Sequence, residues 1–273
     1  MLKKLFKYEW KFFWKVPATI NLALVIITLL GVTFIISPLW ELDSDFIDIL
    51  MTTSVMFYYL SIFAGSIAVN AYIAIRFYRS SYTDEGYLTH TLPVTPRQII
   101  LSKLFVSVIW TFITGGVIVI SVGVLLITVI MASIDFNFFY EIGEVWEEFL
   151  SLFGELGFNF YFSAFLFLLL SVAGSFFNIL MLFSAVSLGQ MFSRHRIAGA
   201  VVWYIAEYTI VQFGSSILMS VTLLGVFNSI DRFDSFSSIT TPLLCFGLLL
   251  TLAGDAVLYF ITEYMMKKRL NLE

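Results

Sequence analysis

Six long stretches almost free of charge constrain this chain more than anything else in its sequence. They are Val16–Trp40, Ile49–Ile75, Leu104–Ile134, Leu156–Ser193, Ile197–Ile230 and Ser235–Thr262, and only the last two carry a charge, Glu207 and Asp255. A helix needs about 20 mainly apolar residues to cross the hydrocarbon core of a bilayer. Each stretch is long enough to cross once. Leu156–Ser193 is too short for two crossings and a turn, and reads as one long span with an interfacial start and a kink near Gly174. Charged residues make up 12% of the 273 residues, half the usual share of a soluble domain. That excludes a soluble enzyme, a disordered chain and a nucleic-acid-binding module. The expected fold is all-α, a polytopic membrane protein with six transmembrane helices.

The basic residues fix an orientation. Lys3, Lys4, Lys7, Lys11 and Lys15 precede the first span. Arg76, Arg79, Arg97 and Lys103 lie between spans two and three, Arg194 and Arg196 between four and five, and Lys267, Lys268 and Arg269 after the sixth. Six crossings place all of these on one side, and Arg232 is the single exception. By the positive-inside rule that side is the cytoplasm, with both termini in it. The opposite loops are acidic, from Glu41 to Asp48 and across residues 135–155. Residues 1–37 lack a cleavage-site pattern after the apolar run and read as an uncleaved first span.

Three segments are not spans. Residues 1–15 place five lysines on one side of a helix and Leu2, Leu5, Phe6, Phe12 and Phe13 on the other, the pattern of an interfacial amphipathic helix. Glu9 falls on the apolar side, where either a loop arginine or another polypeptide would have to meet it. Pro17 marks the break before the first span. The remaining 16–273 form a single transmembrane domain. Its cytoplasmic elbow, 76–103, continues span two through Arg79, adds a helical turn over Ser80–Tyr87 stopped by Gly86, and restarts at Arg97 after the capping pair Thr95-Pro96. The external segment 135–155 has helical apolar spacing at Ile142, Val145, Trp146, Phe149 and Leu150.

Glu207 and Asp255 each lie about 15–18 Å from the cytoplasmic end of their spans at 1.5 Å per residue. Acids at that depth face a cavity or a partner, and the two are candidates to line one polar cavity. Asn21, Asn70, Asn178, Gln190 and Gln212 read as interhelical hydrogen-bonding groups. No phosphate-binding loop, metal-ligand spacing or hydrolase motif is present, and Cys245 stands alone in an apolar run. No catalytic residue, cofactor or metal is expected. If ATP drives this chain, a partner subunit binds it.

The segments KLFKYEWK and FYRSSYTDEGYLTHTLPVTPRQIILSKL resemble the N-terminus and the first cytoplasmic elbow of small bacterial ABC transporter permease subunits, above all those of Gram-positive bacteria. The resemblance implies an export-type permease in the plasma membrane. It would pair with a second permease copy or a sister permease, and with two cytoplasmic ATP-binding cassette subunits. It also implies a coupling helix at Ser80, Tyr82, Asp84, Glu85 and Tyr87, and a second contact at Arg194, His195 and Arg196. Unlike many such exporters, the larger external element here falls between spans three and four. Two other readings fit the residues alone. One is an ion-coupled transporter that uses Glu207 and Asp255. The other is a membrane immunity or scaffold protein that transports nothing.

Overall fold

The structure is a computed structural model and describes residues 2–36, 45–83, 85–86, 94–133, 158–192, 195–227 and 236–268. Among them are seven helices and no strand. These are α1 (Leu2–Phe13), α2 (Lys15–Ile36), α3 (Asp45–Tyr82), α4 (Pro96–Ser133), α5 (Phe158–Gly189), α6 (Arg196–Phe227) and α7 (Phe236–Lys268). The last six are each long and apolar enough to cross a membrane. The acidic segment 135–155 and the loop acids Glu41 and Asp43 lie outside the described residues.

Each span coincides with a sequence stretch, and its ends show what the hydropathy pattern missed. The elbow restarts one residue earlier than expected, at Pro96. The Thr95 carbonyl accepts from the Gln98 and Ile99 amides at 2.9 and 3.3 Å. The Gln98 side chain in turn accepts the Thr95 amide at 3.4 Å. Proline fits here because the first helical turn has no use for its missing N–H. At the N-terminus the interruption falls at Trp14, ahead of Pro17. Lys15 belongs to α2, and Pro17 sits in the first turn of that helix. With 38 residues each, α3 and α4 measure about 57 Å at 1.5 Å per residue. That is nearly twice the hydrocarbon thickness of about 30 Å. Their surplus includes Arg76–Tyr82 and Pro96–Lys103, the flanks of the elbow.

Lipid offers no hydrogen bonds, so polar side chains within a span must be satisfied locally. Thr28, Thr53, Ser54, Ser61, Ser171, Ser175, Thr209, Ser216, Ser220 and Thr251 each donate to the carbonyl four residues back in their own helix, at 2.7–2.9 Å. Asn70 and Gln190, expected to bridge helices, also donate to the carbonyl four residues back. Asn21 is buried and its amide has no hydrogen-bond partner among the described residues.

The described residues fall into two compact units. One draws on Met1–Phe6, Ile73–Val108 and Leu152–Glu273, the other on Lys7–Tyr72 and Ile109–Ser151. In the second unit α1 is anchored by aromatic rings. Trp10 packs on Trp110 of α4 with centroids 5.5 Å apart, and Phe13 on Tyr72 of α3 at 5.0 Å. Glu9 is buried here, while Tyr8 and Phe12 form an exposed pair at 4.7 Å. The aromatic residues of α1 are thus divided between an interior and an exposed face, and Phe12 is not with Phe13.

In the first unit α5 is the central helix. From Ile179 to Ser187 it is buried on every side, with α7 and α6 packed against it. Glycines permit the closest approaches. A Cβ on Gly189 would lie 2.5 Å from the Ala200 backbone nitrogen, and one on Gly254 would lie 2.5 Å from the ring of Phe177. The Phe177 ring can turn aside, whereas the Ala200 backbone cannot. Gly254→Ala is therefore expected to cost about 1 kcal/mol, the low end of overpacking. A thermal unfolding curve in detergent checks this, and a loss of the folded fraction would contradict it.

Candidate functional site: a polar hub at the basic end of the first unit

Six crossings bring the end of α3, the start of α4, the end of α5, the start of α6 and the end of α7 to the same, basic end. The first unit contains all five. Here Phe77 of α3 stacks on Phe183 of α5, with ring centroids 3.9 Å apart and planes 10° from parallel. Ile73, Ile99, Ile100, Ile179 and Met266 are almost wholly buried in the same unit.

Polar bonds between helices run through this packing. Tyr82 of α3 donates its hydroxyl to Ser187 Oγ of α5 at 2.8 Å. Lys103 of α4 donates from Nζ to Ser80 Oγ of α3 at 2.7 Å. Arg97 of α4 donates from Nε to Glu263 Oε1 of α7 at 2.7 Å, and Lys267 pairs with the same carboxylate oxygen one turn away. Ser80, Tyr82, Lys103 and Glu263 are all buried. A lysine and a glutamate are almost never buried without a partner. Here the lysine meets a hydroxyl, and the glutamate meets two cations that stay partly exposed.

The expected coupling residues therefore separate. Ser80 and Tyr82 are 3% and 2% exposed, so they belong to the interior of the hub and are not surface contacts. Glu85 is exposed and accepts from Arg76 Nη1 at 2.9 Å. Just beyond it, Gly86 donates its amide to the Thr83 carbonyl at 2.7 Å. A Cβ on Gly86 would lie 2.6 Å from the Ser81 carbonyl, so the turn folds tightly back on the end of α3. His195 is exposed, and its carbonyl accepts the Gly199 amide at 2.9 Å as α6 begins with Arg196. Asp84, Tyr87 and Arg194 lie outside the described residues. Nothing in the sequence marks Glu263 and Lys103 as site residues, because an acid or a lysine at the end of a span reads as a solvated cap.

The two intramembrane acids have different neighbours. Glu207 of α6 accepts from Ser184 Oγ of α5, which lies 2.9 and 2.8 Å from its two carboxylate oxygens. Asp255 of α7 lines a cavity of about 340 Å³ between α5 and α7, whose other walls are apolar. Glu207 does not line that cavity. A further cavity, about 350 Å³, lies within the second unit between α2, α3 and α4. It is lined by Leu30, Phe34, Tyr58, Leu125 and their neighbours.

Among the described residues no group of His, Cys, Asp and Glu could hold a metal ion. The fold and the site together define a six-span α-helical membrane protein. No protein-family model matches the chain, and neither does any curated protein or solved structure.

Proposed function

We propose that this chain is the permease subunit of an ATP-driven ABC exporter, forming the substrate pathway and taking its driving force from separate ATP-binding subunits docked on the elbow. The observation that carries the proposal is the way the elbow is tied in. Exposed Glu85 sits on a short turn whose buried neighbours Ser80 and Tyr82 bond to α4 and α5. A force applied at that turn reaches three helices through packed rings and short hydrogen bonds. A loop that only joined two spans would need no buried lysine. The resemblance of the elbow segment to that of ABC permeases supports the same reading. The plasma membrane and a second permease copy or sister permease belong to it. The ion-coupled alternative needs Glu207 and Asp255 on one path, and their separate surroundings favour it less.

The test is co-purification. An ATP-binding subunit encoded beside this chain is expected to stay with it through affinity purification. Reversing both charges of the turn, Asp84→Lys with Glu85→Lys, is expected to cut that recovery about tenfold, a loss of about 1.4 kcal/mol. The variant must still elute as a single peak. An unchanged recovery, or no ATPase with either protein, would refute the proposal.

A further inference from the structure

The cavity between α5 and α7 is open on one side and lined by Val172, Ala173, Phe176 and Leu180 of α5 and by Leu248 and Leu252 of α7, with Leu252 half exposed. Asp255 is its one charged group, and Oδ1 is buried without a hydrogen-bond partner among the described residues. The nearest hydroxyl in sequence, Thr251, donates instead to the Gly247 carbonyl at 2.8 Å. A carboxylate in an apolar wall is costly unless something offers it a positive charge or a proton donor. The surrounding side chains offer neither. An inorganic cation would need six or more oxygen ligands for calcium, or an octahedral shell for magnesium. This cavity supplies one carboxylate.

We infer that this cavity is a binding site for a small organic cation, an ammonium group carrying an apolar body. The ammonium would sit on Asp255, the aliphatic wall would take the body, and the ring of Phe176 would add a face that attracts cations. The volume, about 340 Å³, is near the lower end of the roughly 300–1,000 Å³ usual for small-molecule sites, which suits one small ligand. The site goes beyond the transport reading, because binding there needs no ATP-binding subunit.

The experiment uses the full chain in nanodiscs of zwitterionic lipid, titrated calorimetrically with benzyltrimethylammonium. Its neutral carbon isostere, neopentylbenzene, is the competitor. Saturable binding is expected, weakened about tenfold or more by Asp255→Asn, and not displaced by the isostere. Ala173→Phe fills the cavity and keeps the carboxylate, so it carries the test if Asp255→Asn does not fold, and the same weakening is expected. Absence of saturable binding to the wild type overturns the inference. So does equal competition by the isostere, or wild-type affinity in whichever variants fold.

Discussion

Replacing Phe183 by alanine is expected to cost about 3 kcal/mol, the low end of the range for burying an empty phenylalanine site. The ring is fully buried and stacked on Phe77. In a soluble core the loss would combine transfer from water with an unfilled cavity. Lipid is as apolar as a leucine side chain, so in a membrane bundle the transfer part shrinks and packing dominates. Two discs in contact cannot collapse inward when one is removed, because Ile179, Ser187 and the end of α3 are held by their own contacts. Phe213, 68% exposed on α6, supplies the control. Phe213→Ala is expected to stay within about 0.5 kcal/mol, as surface substitutions do. Unfolding of the two variants in mixed micelles measures the difference. Equal losses would mean that the stacked pair is not the centre of the unit.

Of two changes at the Ser184–Glu207 pair, Ser184→Ala is expected to be the more costly, at about 2 kcal/mol. The Ser184 hydroxyl is fully buried and donates to the carboxylate of Glu207. A neutral bond between helices in a membrane averages about 0.6 kcal/mol. A bond to a charged group reaches about 1.5–3 kcal/mol, and removing the donor leaves the acid without it. Glu207→Gln keeps an oxygen that accepts from Ser184, and is expected to cost less than about 1 kcal/mol. The order of the two variants in the same unfolding assay is the test. If Glu207→Gln costs more than Ser184→Ala, then the charge itself holds α6, and the hydroxyl does not.

The six spans were legible because one physical demand, an apolar surface facing lipid, writes itself along the sequence without reference to any other residue. The helical continuation through Arg79 and the cap at Thr95-Pro96 were legible for the same reason, being local. What the sequence concealed depends on pairing at a distance. Tyr82 and Ser187 are 105 positions apart, and nothing near Tyr82 shows that its hydroxyl is occupied. The same holds for Arg97 and Glu263, separated by 166 positions. An elbow rich in charge and aromatic rings reads as exposed surface, yet two of its five expected contacts, Ser80 and Tyr82, are buried. For Glu207 and Asp255, depth along the span could be counted, but the direction each faces depends on how α5 packs. That packing gives Glu207 the Ser184 hydroxyl and Asp255 an apolar cavity wall.

The hydroxyls that bond back to their own helices also bear on how such a chain is made. A span whose serines and threonines are already satisfied can leave the ribosome and enter the bilayer alone, before any neighbour arrives. Membrane insertion therefore does not have to wait for assembly. The exceptions include the Ser81 and Thr114 hydroxyls, Asn21, the Tyr58 hydroxyl, the Trp110 and Trp203 indoles and Asp255, each with a buried polar atom that no described neighbour satisfies. They carry an unsatisfied polar group into the finished protein. In a nascent chain these are the positions where a chaperone, a water molecule or a passing lipid headgroup would be held longest.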